Sequence, residues 1–248
     1  MFRNREEAGR TLAEKLSHYR NDPTGLILAL PRGGVAVGYQ LSLALHIPLD
    51  VFITRKIGAP GNPEYAIGAV AESGWTHVQD YGLGVGDTYV KRETAAQLER
   101  LHERRTRYGA AGVPAAGRIA IVVDDGLATG ATMIAALHAL REQRPQRLIC
   151  AVPVAAPDSL ERVRELADEV VCLHAPADFH AVGQFYDQFD QVDDAEVLEA
   201  LQSARSANAP QGARAAGAQQ QQGAPDVDEL PSATGVELRQ EEPGVKTK

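Results

Sequence analysis

Hydrophobic and polar residues follow two periods along residues 1–202. Short apolar runs bounded by turn residues, such as GLILAL at 25–30 and RIAIVV at 118–123, are typical of strands buried on both faces. Elsewhere apolar residues recur three and four positions apart, as in residues 8–19, which indicates amphipathic helices. The alternation predicts an α/β domain with an open, mostly parallel sheet and helices on both faces.

The same two signals predict the remaining elements. Strands are predicted at residues 49–54, 65–71, 147–154 and 169–173. Helices are predicted at residues 35–46, 88–108 and 159–167, and a further helix from the turn at residues 124–132 to about residue 141. Residues 58–63 (GAPGNP) are too rich in glycine and proline for regular structure, so a mobile loop is expected there. Because ligands of such sheets bind beyond the carboxyl ends of the strands, a site is expected in the loops that follow them.

The composition of the chain changes near Ser203. Residues 203–248 are rich in Ala, Gln, Gly and Pro and include the run QQQQ at 219–222. Apolar residues are too sparse there to offset the loss of chain entropy on folding. The sequence therefore predicts one domain over residues 1–202 and a disordered tail over residues 203–248.

Charge and composition argue against several classes of function. The net charge is -8, which argues against nucleic acid as a partner because phosphate backbones are bound by Lys and Arg. No apolar stretch reaches the roughly 18 residues of a membrane span, and the first residues lack the apolar core of a signal peptide. Cys150 and Cys172 lie in apolar runs, which is typical of buried strand residues in a reducing compartment. A cytoplasmic protein is expected.

The clearest candidate chemistry lies in residues 121–132 (IVVDDGLATGAT). The predicted strand ends in the carboxylates of Asp124 and Asp125, which can accept hydrogen bonds from a vicinal diol or hold a hard cation such as Mg²⁺. The small and hydroxylated residues that follow would let backbone amides approach an anion at the start of the next helix. They are Ala128, Thr129, Gly130, Ala131 and Thr132. A diol-binding pair followed by a phosphate-binding turn suits a ribose 5-phosphate.

Other interpretations of this segment fit less well. An ordinary strand-turn-helix junction with an Asp cap does not account for the adjacent acids and the paired Thr and Gly residues. A Walker A loop would need a Lys before its Ser or Thr, and a dinucleotide-binding turn would need the G-x-G-x-x-G pattern. A metal-dependent phosphatase with Asp124 or Asp125 as nucleophile is disfavoured because the two acids are adjacent.

Cations follow two other predicted strands. Arg32 supplies donors for a phosphate, and Gly33 and Gly34 let the backbone come close, although PRGG could also be a plain turn into a helix. Arg55 and Lys56 add two charges at the same edge and would otherwise be surface residues. Three cations at neighbouring strand ends in an acidic protein favour a site for a polyanion.

Together these segments resemble the type I phosphoribosyltransferase family over about residues 26–154. The resemblance implies that Asp124 and Asp125 contact the ribose hydroxyls of phosphoribosyl pyrophosphate (PRPP) and that residues 128–132 hold its 5-phosphate. Arg32, Gly33 and Gly34 resemble the family's pyrophosphate loop, and Arg55 and Lys56 resemble the start of the flexible loop in adenine phosphoribosyltransferases.

The family's reaction is a pentosyl transfer. A nitrogen nucleophile displaces pyrophosphate from C1 of the sugar, with Mg²⁺ held mainly through the substrate and with Asp124 and Asp125 as further candidate ligands. PRPP and an unidentified acceptor, a nucleobase among the candidates, are the implied partners. The alternative function is a sensor or regulator that binds PRPP without turnover; Arg32, Lys56 and the predicted mobile loop favour catalysis.

Two positions depart from the family pattern. At the position of Ala128, hypoxanthine-guanine enzymes carry an Asp, whereas adenine-type enzymes resemble this chain. A 6-oxopurine acceptor is therefore less supported. The general base is therefore unassigned, and Glu64 is a candidate unless it is only a solvated loop charge. Gly126 stands where an aliphatic residue is usual.

A small C-terminal hood is expected at about residues 174–192, which are dense in aromatic residues. By the resemblance, Phe179, Phe185 or Tyr186 would stack on an acceptor base, although ordinary packing of a cap on the core is favoured. The arginines at 104, 105 and 107 are interpreted as a solvated helix face or as part of a contact in a homo-oligomer.

Overall fold

The computed structural model describes residues 1–78 and 85–209, in which strands and helices alternate. The strands are β1 (Gly25–Ala29), β2 (Leu49–Val51), β3 (Thr54–Ala59), β4 (Asn62–Ala71), β5 (Thr76–Val78), β6 (Ile119–Val123), β7 (Arg147–Val154) and β8 (Glu169–His174). The helices are α1 (Arg5–Lys15), α2 (Gly33–Leu45), α3 (Asp87–Arg107), α4 (Ala131–Glu142), α5 (Pro157–Arg164) and α6 (Asp194–Asn208), with short 3-10 helices at Ser17–Tyr19 and Val182–Phe185.

Five parallel strands form the central sheet, in the order β2-β1-β6-β7-β8. Every residue of β1 and β6 is buried, as expected for strands covered on both faces. On one face Ile27 packs in the cluster that holds α1, α2 and α6, and on the other Leu26 packs with α4 and α5. The predicted open parallel sheet with helices on both faces is confirmed.

Residues 58–63, expected to be a mobile loop, are part of a β-hairpin. Strands β3 and β4 pair antiparallel up to Ala59 opposite Asn62, and β5 completes a three-stranded sheet that the pattern did not predict. Gly61 takes the turn with a φ of +73°, and register shifts at Gly58 take up the irregular spacing around Pro63. The expectation was wrong because turn and bulge positions tolerate the glycine and proline that it counted against regular structure.

Helix α6 crosses the predicted boundary between domain and tail. It continues to Asn208, so the boundary at residue 203 was placed too early. Val197, Leu201 and Ala204 recur at helical spacing and pack on the core, and the Asn208 side-chain amide donates to Ser42 Oγ at 2.9 Å. The alanine content that suggested disorder is equally suited to a helix once one face is buried. Residues 210–248 of the predicted tail lie outside the described residues.

Arg104 and Arg105 of α3 do not belong to a solvated face as expected, whereas Arg107 is exposed and pairs with Asp194 at 3.1 Å. Arg105 donates to both carboxylate oxygens of Glu72 and, at 2.8 Å, to the carbonyl oxygen of Val51, and it lies 3.6 Å from Asp50. Burial raises the pKa of Glu72, and Arg105 opposes that rise. Arg104 bonds the hydroxyl of Tyr108 at 2.8 Å. The contacts of Arg105 join α3 to β2 and to Glu72, which follows β4, an internal role that helical spacing alone does not reveal.

Candidate active site

Two loops meet at the carboxyl ends of the central strands. A Cβ atom at Gly34 would lie 2.7 Å from the carbonyl oxygen of Val123 and 3.0 Å from Cα of Asp124. Only glycine allows the start of α2 to approach the end of β6 so closely. The structure therefore brings together the PRGG loop and the DDGLATGAT turn, which were predicted separately.

The two acids of the turn occupy different surroundings. Asp124 lines a cavity of about 160 Å³, and its Oδ1 accepts a hydrogen bond of 2.9 Å from the amide of Asp125. The Asp125 carboxylate lies outside the residues that line that cavity and accepts a 2.7 Å bond from Nε of Arg5. Burial, followed by the charge of Asp125, raises the pKa of Asp124 well above its usual value. Asp124 is thus the carboxylate placed to meet a ligand in the cavity.

The remaining wall of the cavity is the turn that leads into α4. The lining residues after Asp124 are Gly126, Leu127, Ala128, Thr129, Gly130, Ala131, Thr132, Met133 and Val182. Gly130 has a φ of +73° and precedes a helix of 12 residues, α4, whose first amide, that of Ala131, donates to Oγ1 of Thr129 at 3.4 Å. Amides at the start of a helix attract anions, so a carboxylate and a helix N-terminus share one cavity.

Residues of helix α5 and of the segment between β7 and α5 contact the backbone of the turn at residues 127–129. Ser159 Oγ donates to the carbonyl oxygen of Ala128 at 2.7 Å, and the Arg162 guanidinium donates to that of Thr129. Leu127 forms an isolated bridge with Ala155. Sequence reasoning missed Ser159 and Arg162, because both lie about thirty residues away in a helix whose pattern indicates only an amphipathic face.

The predicted cations differ in where their side chains point. Arg32 is half-buried at the start of α2, next to a cis peptide bond that joins it to Pro31. Arg55 is directed towards α3, where its Nε donates to Gln97 Oε1 at 2.6 Å. Lys56 follows it on the strand and is exposed. Alternation along β3 explains this divergence of Arg55 and Lys56.

Lys56 and the candidate base Glu64 form an ion pair across the hairpin. Their side chains meet at 2.7 Å, and the Glu64 side chain is mostly exposed. The hydrogen bond from Lys56, followed by its charge, lowers the pKa of Glu64. Glu64 is therefore ionised at neutral pH, and its pairing with Lys56 makes it a weaker proton acceptor than an unpaired carboxylate.

The aromatic residues of the hood have two kinds of contact. Phe179 and Phe185 stack with ring centroids 5.4 Å apart. Tyr186 is 5% exposed, packs on the core, and donates its hydroxyl to the carbonyl oxygen of Asp125 at 2.7 Å. Tyr186 therefore packs as a cap on the core, the favoured alternative in the sequence analysis, and Phe179 and Phe185 stay candidates for acceptor contact.

The hood also accounts for Gly126, which stands where the family usually has an aliphatic residue. A Cβ atom at Gly126 would lie 2.6 Å from Val182 Cγ1 and 2.8 Å from Val154 Cγ2. The hood valine occupies the space that an aliphatic side chain at residue 126 would need. The departure from the family pattern thus accompanies a hood that lies directly on the turn.

The N-terminal segment contributes a site residue that the sequence did not suggest. Arg5 bonds Asp125 and also donates from Nη1 to the carbonyl oxygen of Asp190 at 2.7 Å. Its guanidinium lies 3.8 Å from the centroid of the Phe189 ring. Arg5 stands 120 positions before Asp125 in a charged stretch, so no local signal marked it.

Residues 1–78 and 85–209 contain neither a metal-binding cluster nor a membrane-spanning helix. No group of three or more His, Cys, Asp or Glu side chains there could hold a metal ion. No helix in the same part of the chain is long and apolar enough to cross a membrane.

Comparison with known proteins identifies the family. The sequence model of the phosphoribosyl transferase domain matches residues 2–190. The chain belongs to this family. The matched range includes Arg5 and the hood through Phe189, so both are parts of the domain. The family resemblance drawn over about residues 26–154 is confirmed.

Individual relatives agree with the family assignment. Two strains of Mycobacterium tuberculosis each have a protein provisionally named as a phosphoribosyl transferase, 40% identical over 204 residues, 78% of this chain and 45% of theirs. The chain thus spans about half the length of the curated relatives it matches. The crystal structure of TT1426 from Thermus thermophilus is 43% identical, covers 82% of this chain and 98% of that one, and superposes with a TM-score of 0.71.

Proposed function

We propose that this domain transfers the 5-phosphoribosyl group of PRPP to a nitrogenous acceptor and releases pyrophosphate. The observation that carries the proposal is the shared cavity of Asp124 and the α4 N-terminus. A carboxylate beside a helix N-terminus suits the ribose hydroxyls and the 5-phosphate of one ligand. Membership of the phosphoribosyl transferase domain family supports the same substrate class.

The leaving group is assigned to the loop after β1. As the bond between C1 and the pyrophosphate oxygen breaks, the sugar ring gains positive charge and the pyrophosphate gains negative charge. Arg32, the amide of Gly33 and Lys56 are the groups that would stabilise the pyrophosphate. The amide of Gly34, expected to take part, instead donates to the carbonyl oxygen of Leu30 at 3.1 Å. A substrate-bound Mg²⁺ would supply further charge stabilisation, and Asp124 is the protein carboxylate available to hold it.

The acceptor is assigned to the space between the turn and the hood. Ala128 and Val182 line the same cavity, and Phe179 and Phe185 stack in the adjoining hood. Ala128 offers no carboxylate to an acceptor proton, and Glu64 on the hairpin is the candidate base, although its pairing with Lys56 lowers its pKa and so weakens it as a proton acceptor. A flat nitrogen heterocycle such as a nucleobase would suit stacking on Phe179 or Phe185, which lie outside the lining of the cavity, and a small amine is the alternative.

A screen of acceptors tests the function. The protein is mixed with PRPP, Mg²⁺ and single nucleobases or small amines, and pyrophosphate release is measured, with calorimetry of PRPP binding in parallel. We expect release with at least one acceptor and none without Mg²⁺. Binding without release across the screen would identify a sensor, and absence of binding would overturn the proposal.

Lys56→Ala tests the assignment of the leaving group. We expect kcat to fall about 10²-fold with little change in KM, because the lysine would interact with charge that develops as pyrophosphate departs. Steady-state pyrophosphate release with an accepted acceptor measures both constants. Lys91→Ala, on the exposed surface of α3, is the matched control. An unchanged kcat in Lys56→Ala would remove Lys56 from the site.

A further inference from the structure

The carboxylate of Asp125 is enclosed on the side away from the cavity. A Cβ atom on Gly33 would lie only 1.9 Å from Oδ2 of Asp125. The same oxygen lies 2.7 Å from Nε of Arg5. The side chains of Arg5 and Asp125 are only 12% and 15% exposed. Asp125 therefore already has a charged partner and a close backbone neighbour, and little of it remains for a ligand.

Arg5 is in turn held by the hood. Its guanidinium lies over Phe189, whose ring stacks on Tyr186 with centroids 5.0 Å apart. The Tyr186 hydroxyl returns to the turn by its bond to the carbonyl oxygen of Asp125. Asp125, Arg5, Phe189 and Tyr186 thus form a closed ring of contacts, which we call the latch.

Backbone hydrogen bonds place the N-terminal segment on the hood. The amide of Phe2 donates to the carbonyl oxygen of Phe185 at 2.8 Å, and that of Asp187 donates to the carbonyl oxygen of Phe2 at 2.9 Å. The amide of Gln188 donates to the carbonyl oxygen of Arg3 at 2.9 Å. These bonds fix the approach of α1, so the position of Arg5 depends on the hood rather than on its own helix alone.

The latch is connected to the other acid through one amide. The N–H group of Asp125 donates to Oδ1 of Asp124 at 2.9 Å. When the side chain and carbonyl group of Asp125 are held, its amide is held as well, and this amide orients the carboxylate that lines the cavity. A contact made by Arg5 can therefore act on Asp124 without touching it.

We propose that Asp125 is a positioning residue rather than a ribose ligand, and that Arg5 and the hood act through it to orient Asp124, which alone reads the sugar diol. The proposal rests on the proposed function in taking the diol to be that of PRPP. It assigns to the N-terminal arginine a role in substrate binding, and it differs from the family resemblance, which implies that both acids contact ribose.

Kinetics of single and double variants test the latch. We expect Arg5→Ala to raise the KM for PRPP about tenfold with kcat within about twofold, because an oriented diol contact operates in both the ground state and the transition state. Asp125→Asn should give a similar rise, and the double variant no more than either single variant. Arg5→Lys should recover part of the affinity. Arg10→Ala, an exposed arginine on the same helix, should leave both constants unchanged.

The opposite result is equally specific. If Asp125 binds ribose directly, Asp125→Asn will weaken PRPP binding far more than Arg5→Ala does, and the two losses will add. That outcome would overturn the proposal, and so would an Arg5→Ala variant with an unchanged KM.

A ligand-free measurement separates this inference from the proposed function. Thermal unfolding of the wild type, the two single variants and the double variant gives a thermodynamic cycle for Arg5 and Asp125. We expect the shifts in Tm to be non-additive by about 2–4 °C and the amides of residues 185–188 to exchange faster in Arg5→Ala. If the wild type does not bind PRPP, the proposed function fails while the cycle still tests the contact; an additive cycle overturns the latch.

Discussion

Asp124→Asn is expected to weaken PRPP binding by about 10²-fold or more, the largest loss of affinity among the substitutions considered. An ionised carboxylate would accept two charge-assisted hydrogen bonds from the diol, each contributing about 1.5–3 kcal/mol. The asparagine side chain keeps one acceptor oxygen, but its NH₂ group is a donor and cannot accept a hydrogen bond from a ribose hydroxyl. Calorimetry with PRPP measures the loss, and Asp87→Asn, on an exposed residue at the start of α3, is the control.

The same substitution should not destabilise the free protein at neutral pH. Burial raises the pKa of Asp124, so the folded state favours its protonated form more than the unfolded state does. The stability that this carboxyl contributes is therefore present in acid and is lost as the pH rises past its unfolded pKa towards its raised folded pKa. Asp124→Asn removes that loss, so its Tm should equal or exceed that of the wild type at pH 7 and lose this advantage in acid.

These two measurements distinguish a site residue from a structural one. A raised Tm together with lost affinity is the result expected of a group kept for binding at a cost in stability. Affinity within twofold of the wild type would remove Asp124 from the site. A Tm well below that of the wild type would mean that the carboxylate supports the turn instead.

The sugar-phosphate part of the site could be predicted from sequence because it is contiguous in the chain. A buried strand, two acids, small residues and a helix start all fall within residues 121–132, and the physical reason for each is local. The central sheet was predictable for a similar reason, since fully buried strands leave apolar runs that are easy to recognise.

The parts that could not be predicted depend on contacts between distant segments. Arg5 and Arg105 both look like solvated helix charges, because helical spacing shows which residues share a face but not what that face meets. One bonds Asp125, and the other bonds Glu72. The close approach of Val182 to Gly126 is a further case, because only the folded chain shows which side chain fills the space next to a glycine.

Gly33→Ala is expected to abolish most PRPP turnover, for a reason of space alone. The added Cβ would lie 1.9 Å from Oδ2 and 2.6 Å from Cγ of Asp125, distances that no rotation of the methyl group relieves. Either Asp125 leaves Arg5 or the start of α2 moves away from β6, and in both cases the proposed pyrophosphate loop and diol site lose their relative position. A displacement of about 1 Å at a reacting centre lowers rates about 10²-fold, so we expect at least that loss in kcat/KM.

Stability measurements show whether the contact with Asp125 is the cause. Overpacking at residue 33 should destabilise the fold by about 1–3 kcal/mol, whereas Gly86→Ala, where no atom lies within 4 Å of the added Cβ, should not. Asp125→Ala removes both clashing atoms, so the double variant with Gly33→Ala should regain Tm relative to Gly33→Ala alone. If Tm recovers but turnover does not, Gly33 is required because it leaves room for the Asp125 carboxylate next to the backbone. A Gly33→Ala variant as stable and active as the wild type would contradict this account of the loop.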